Sequence, residues 1–245
     1  MDFDFTDDQE QLRDAVRKWV DKGYSFERRR AAEKAGGFDR AAWKELAELG
    51  LCGMYVPESQ GGMGMGPVEG MVVMEELGRG IVLEPLAQSL IAAALLAAYA
   101  DDATQAAWLP SLAAGDKLVV LAHQERGARY RLDVCKAQAA AAPAGYTVNA
   151  TKTVVPAGDL ADAFIVPAQL AGRMALFLVE RGAAGVSTTA YSTQDGGRAA
   201  RGGPVGTVLP AHRPPGQRVS RRNSSNSRCG LPPRNVTVSV PWTFE

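Results

Sequence analysis

Apolar residues recur at helical spacing through the first hundred positions, and from residue 118 onward they gather into short runs. Leu12, Ala15, Val16, Trp19 and Val20 follow the spacing of one helix face. Thr6 precedes them with Gln9 three residues on, the pairing of a capping box. A second helix is predicted from Asp39, with Trp43, Leu46 and Ala47 on one side. It ends near Gly50, a residue type that accepts the left-handed conformation after a helix. A glycine-rich loop, LCGMYVPESQGGMGMGP, follows, and helices resume over 68–78, 86–100 and 103–112, the last capped by Asp102. After Gly115-Asp116 the runs LVVLAHQ, GYTVNA, KTVVP, AFIVPA, MALFLVE and GVSTTAYS, bounded by Gly or Pro, predict an antiparallel sheet or small barrel. The fold class is therefore α+β, with an all-helical domain over 1–116 and a small antiparallel β domain over 117–200. Helices followed by strands argue against a doubly wound nucleotide fold.

The texture changes after Ala200. Only twelve of the 45 residues in 201–245 are hydrophobic, and Pro, Gly, Ser and Arg make up more than half of the segment. Such a stretch buries too little apolar surface to offset its ordering entropy, so disorder is expected, with only Val236, Val238 and Val240 alternating as a strand does. Charge divides at the same point. The whole chain balances 27 basic against 27 acidic residues, but 201–245 holds seven Arg, no Lys and a single acid, Glu245. The body is thus acidic and the tail basic. That composition reads as a GC-rich frame translated out of register, an expectation that sequencing the coding DNA beyond the Ala200 codon tests.

Few residues suggest chemistry by themselves. GGMGMG (61–66) lacks the preceding strand that a phosphate-cradling fingerprint needs, so a structural turn is expected. His123 has no second ligand at metal spacing, and no metal is expected. Glu125, between Gln124 and Arg126, reads as a solvated turn at a strand end rather than as a general base. Cys52, Cys135 and Cys229 are widely spaced, without a C-x-x-C pair, and read as idle thiols. The acidic N-terminus does not resemble a signal peptide, which points to the cytoplasm. Residues 81–100 are interrupted by Glu84, Pro85, Gln88 and Ser89, too often for a membrane span, and read as a helix buried in protein or at a subunit contact. Without covering neighbours, Leu90, Ile91, Leu95 and Leu96 would leave an apolar patch. The basic tail is the one feature pointing to nucleic acid, and composition alone does not carry that function. No Ser/His/Asp or Cys/His constellation stands anywhere in the chain, so no catalytic set is visible.

Several motifs in order do carry a resemblance. WKELAELGLCGMYVPESQGGMGM (43–65), with Pro57-Glu58 ahead of Gly61-Gly62, and VMEELGRG (73–80) resemble the N-terminal helical domain of acyl-CoA dehydrogenases. LAHQERGARYRLD, GYTVNATKTVVPAGDLADAFIVPA and GVSTTAYSTQDGGRAA continue the likeness into the β domain. RGARY and TQDGGRAA are most similar to small subunits of pimeloyl-CoA dehydrogenase and related heteromeric members. The resemblance covers residues 1–200.

The resemblance implies a flavoprotein of two helical domains around a β domain, with FAD in the cleft. A carboxylate takes the α-proton of an acyl-CoA while hydride leaves its β-carbon for the flavin. The family's catalytic Glu lies on a C-terminal helical bundle that nothing after Ala200 resembles, so no residue here takes that role and the chain alone is expected to be inactive. Leu121, Ala122, His123 and Gln124 occupy the first flavin-contacting stretch, with Gln124 in a Ser/Thr place and Arg126 in a Pro place; Tyr130 falls where substrate is contacted. Val154, Val155 and Pro156 occupy the second stretch. There Val154 replaces a tryptophan's broad face, and Pro156 has neither hydroxyl nor N–H. The partners implied are an acyl-CoA and either a large dehydrogenase subunit, which completes the FAD site, or further copies of the chain. The alternative is a non-enzymatic partner or assembly subunit of a heteromeric dehydrogenase.

Overall fold

A computed structural model describes residues 4–128, 131–143, 145–204, 207–210 and 242–243. Six helices come first: α1 (Asp7–Gly23), α2 (Phe26–Lys34), α3 (Arg40–Glu48), α4 (Pro67–Arg79), α5 (Leu86–Tyr99) and α6 (Asp102–Ala113). The capping box at α1 forms as expected: Gln9 N–H donates to the Thr6 hydroxyl at 3.3 Å, and Thr6 N–H to Gln9 Oε1 at 3.1 Å. The buried face of α1, Val16 and Val20, joins Val73 and Leu77 of α4 in one core. Arg17 reaches the buried Glu76 across the same contact at 2.7 Å. Asp39 caps α3 by accepting from Ala41 N–H at 2.8 Å, and Gly50 follows with a φ of 80°. The sequence pattern does not reveal α2, which buries only Ala32 and is started by the Ser25 side chain.

The glycine loop is a structural turn. Gly64 N–H donates to Val56 O at 2.8 Å and Met65 N–H to Met54 O at 2.7 Å, so its donors are consumed inside the chain. A Cβ on Gly62 would lie 2.1 Å from Val56 O, so that position admits no side chain. In α5, Leu86, Leu90 and Leu96 are buried, and α6 and β1 are its packing neighbours. The expected apolar patch therefore shrinks to Ile91, 48% exposed, with Leu95 partly covered.

Strands follow as β1 (Val119–Leu121), β2 (Gln138–Ala142), β3 (Gly145–Asn149), β4 (Lys152–Pro156), β5 (Ala163–Leu170), β6 (Arg173–Glu180), β7 (Val186–Ser192), β8 (Arg198–Pro204), β9 (Thr207–Pro210) and β10 (Trp242–Thr243). One sheet runs β10-β6-β5-β2-β3-β9, with β1 also on β5; the other is β4-β8-β7. Two pairings correct the antiparallel expectation: β1 and β2 both lie parallel to β5. A tight hairpin forces antiparallel pairing, and neither strand is joined to β5 by one, because the chain visits the second sheet through β4 in between. The domain limit expected at residue 200 falls inside β8, and pairing continues through β9 to Pro210. Ladder hydrogen bonds are made by the main chain whatever the side-chain hydrophobicity, so the polar, glycine-rich composition hides these strands. The rest of the expected disordered tail, 211–241 and 244–245, lies outside the described residues.

Candidate functional site

The two stretches that the resemblance singles out meet at the junction of the sheets. After β1 the chain leaves the ladder at Ala122, whose N–H donates to Ile165 O at 2.9 Å, and runs to Gln124. Thr153 N–H of β4 donates to Gln124 O at 3.0 Å, so Leu121–Gln124 and Val154–Pro156 stand edge to edge. The register of β4 against β8 slips between Lys152 and Val155. Such a bulge re-aims side chains. Lys152 and Val155 both turn inward, whereas Val154, 42% exposed, and Pro156 face out. Ala122 and Val155 line a small cavity of about 20 Å³ between the sheets, with room for about one water, so the side chains of these two are turned away from any external ligand. Leu121 is half-buried and packs on the core cluster beneath α5.

The structure links the two stretches at Gln124 and Thr153 and sets Ala122 and Val155 on one cavity, while Leu121 turns to the core and Tyr130 lies outside the described residues. His123 is half-buried, and its Nε2 is enclosed without a hydrogen-bond partner among the described residues. Burial, reinforced by the nearby Lys152 ammonium, holds the imidazole below its usual pKa and hence neutral at pH 7.

Glu125 corrects a sequence expectation: it is buried, not a solvated turn. Lys152 Nζ donates to its Oε1 at 2.7 Å, while Lys136 and Ala137 N–H groups donate at 2.7 and 3.1 Å. Burial by itself would raise this carboxyl, but the Lys152 contact and the main-chain donors outweigh it and hold it below the usual carboxylate range. The partners lie 11, 12 and 27 residues away, so no local pattern announces them. Tyr191 of β7 is a second residue that sequence reasoning misses. Its hydroxyl donates to Thr153 O at 3.2 Å, bringing an exposed aromatic ring to the same strip.

The strip fits the edge of a flat heterocycle such as the isoalloxazine of FAD. It has an outward apolar pair, Val154 and Pro156, beside the main chain of His123 and Gln124, with the imidazole Nε2 of His123 enclosed and without a partner among the described residues. No cluster of three or more His, Cys, Asp or Glu suited to a metal occurs among the described residues. None of the described helices is long and apolar enough to cross a membrane.

Residues 6–116 match the acyl-CoA dehydrogenase N-terminal domain. Acyl-CoA dehydrogenase FadE27 of Mycobacterium tuberculosis is 35% identical over 195 residues, which are 79% of this chain and 51% of that protein. A chain in the crystal structure of the ChsE4-ChsE5 complex from M. tuberculosis superposes with a TM-score of 0.79 at 33% identity, covering 86% of this chain and 57% of the other. A Bacillus anthracis acyl-CoA dehydrogenase solved with FAD gives 0.74 at 25% identity, over 84% of this chain and 38% of that one. A helical region leading into this two-sheet β region thus defines the acyl-CoA dehydrogenase fold. The chain belongs to the acyl-CoA dehydrogenase family, and it spans about half the length of the curated relatives it matches.

Proposed function

We propose that this chain is a subunit of an FAD-dependent acyl-CoA dehydrogenase, with the strip formed by Leu121–Gln124 and Val154–Pro156 as its contribution to the flavin site. The observation that carries this is the Thr153-to-Gln124 hydrogen bond, which sets both family flavin stretches side by side. FAD, when bound, would accept the hydride from the β-carbon of an acyl thioester. This chain's share is to orient the ring edge through main-chain groups and to exclude water with Val154 and Pro156. Tyr191 stands where it adds an aromatic surface that Val154 lacks.

Among the described residues at the strip, no carboxylate is free to take an α-proton: Glu125 is engaged by three donors. The base and the remaining walls of the site lie outside these residues, and the source proposed for them is a large dehydrogenase subunit. The likeness to a chain of the two-component ChsE4-ChsE5 complex supports a heteromeric assembly. The test is acyl-CoA-dependent dye reduction with added FAD. No turnover is expected from the purified chain, and turnover with bound flavin is expected once a large subunit is co-expressed. Robust turnover by the chain alone would overturn the shared site. Failure of both the chain and the co-expressed pair to retain flavin would overturn the dehydrogenase role itself.

A further inference from the structure

The junction beneath the strip contains a gap in the main sheet. On one side of β5, β1 pairs as far as Ile165 and β2 begins at Gln169, so Val166, Pro167 and Ala168 have no ladder partner there among the described residues. Proline suits this place: it has no N–H to leave unsatisfied, and only its carbonyl needs a donor. Two side chains supply one. Lys152 Nζ donates to Pro167 O at 2.9 Å, and Cys135 Sγ lies 3.3 Å from the same oxygen. Lys152 reaches the gap because the β4 bulge turns it inward, where it is 1% exposed.

Glu125 closes the arrangement. Its carboxylate takes the Lys152 ammonium on one side and the N–H groups of Lys136 and Ala137 on the other. One buried group thus ties the end of the Leu121–Gln124 strip, the chain entering β2, and β4. Among the described residues of the connection it gathers, 122–128 and 131–137, there is no helix or strand. A connection that long inside a compact domain has many conformations available unless something pins it.

We propose that Glu125 and Lys152 are positioning residues for the flavin strip: the buried pair holds Leu121–Gln124 against Thr153–Pro156, and without it the two stretches separate. The ligand rests on the function proposed above; the spacing of the stretches is a property of the chain itself. A charge pair of this kind costs desolvation energy, so it is poor at adding stability and good at selecting one geometry.

The experiment uses the full chain as Glu125→Gln, Lys152→Met and the double variant. It reads amide hydrogen exchange over 121–124 and 153–156, the thermal midpoint, and the visible absorbance band during FAD titration. Each single variant is expected to exchange about tenfold faster in both stretches, with α1 to α6 unchanged. Where flavin is taken up, a weaker affinity and a shifted band accompany that change. The double variant leaves no unpaired buried charge. It should recover the thermal midpoint while its two stretches still exchange fast, an outcome that a merely structural role does not give. Exchange within about twofold of the unaltered chain in the double variant overturns the proposal even if a single variant fails to fold. If the unaltered chain takes up no FAD, the flavin reading of the strip fails, and the exchange data still decide whether the pair sets its spacing.

Discussion

Glu84 carries a buried oxygen whose need is unmet among the described residues. It is 5% exposed between α4 and α5; Asp39 N–H donates to its Oε1 at 3.1 Å, and its Oε2 has no partner among the described residues. Burial pushes its carboxyl above the usual carboxylate range, and Asp39 adds repulsion, against the lowering effect of hydrogen bonds from Asp39 N–H and the Tyr24 hydroxyl. A raised pKa in the folded state means the protonated form is favoured by folding. That contribution is complete below the unfolded carboxylate's pKa and is lost as pH rises through the raised folded value. Glu84→Gln keeps the acceptor for Asp39 N–H and cannot ionise. It is expected to be more stable than the unaltered chain at neutral pH, with the gap closing as pH falls toward the unfolded carboxylate's pKa. Urea unfolding at a series of pH values checks this; parallel pH curves for the two proteins would sink it.

At the scale of elements, the β5–β6 hairpin carries local strain. Leu170 pairs with Arg173, leaving a two-residue turn of Ala171 and Gly172 at φ values of 52° and 80°. Both central residues of such a turn need positive φ, and alanine is the wrong residue for the first place. Ala171→Asn should stabilise the protein by about 0.5–1 kcal/mol, raising the thermal midpoint by a few degrees; an unchanged or lower midpoint would contradict the turn assignment. Elements were legible where the signal was local. The Thr6 and Asp39 caps, the Gly50 stop and the runs of β5 and β6 all lie within a few residues of what they specify. Among the elements that escaped, beside β9 and β10 of the expected disordered tail, three show the physical reasons. Helix α2 has almost no buried face, β2 is built on alanines with little strand preference, and β8 is an Arg/Ala/Gly segment whose pairing is entirely main-chain. At the candidate site the two stretches proposed for the flavin are singled out by family likeness. The Glu125–Lys152 pair was not, because burial of a charge depends on a partner brought close only by the fold.

The whole molecule depends on how the helical and β regions are joined, and α2 is central to that joint. Arg29 donates to Asp195 O at 2.6 Å in the β7–β8 turn and to Ile81 O at 3.2 Å. Arg198 of β8 crosses in the other direction, donating to Gly36 O at 2.8 Å just after α2. Its guanidinium also pairs with the carboxylate of Asp159, whose side chain is 7% exposed. Removing Arg198 therefore does two things at once: it cuts a tie between the regions and strands a buried carboxylate. The second is the costlier, since a buried charge without its partner keeps its full desolvation penalty. Arg198→Ala is expected to lose about 2–3 kcal/mol by urea unfolding, less than a wholly buried pair would because Arg198 is partly in solvent. Adding Asp159→Asn removes the stranded charge, so the double variant should regain more than half of that loss. The residue left over measures the inter-region tie through Gly36. A loss below about 0.5 kcal/mol in the single variant, the range of an ordinary surface pair, would show that the joint is carried by apolar packing and not by Arg198.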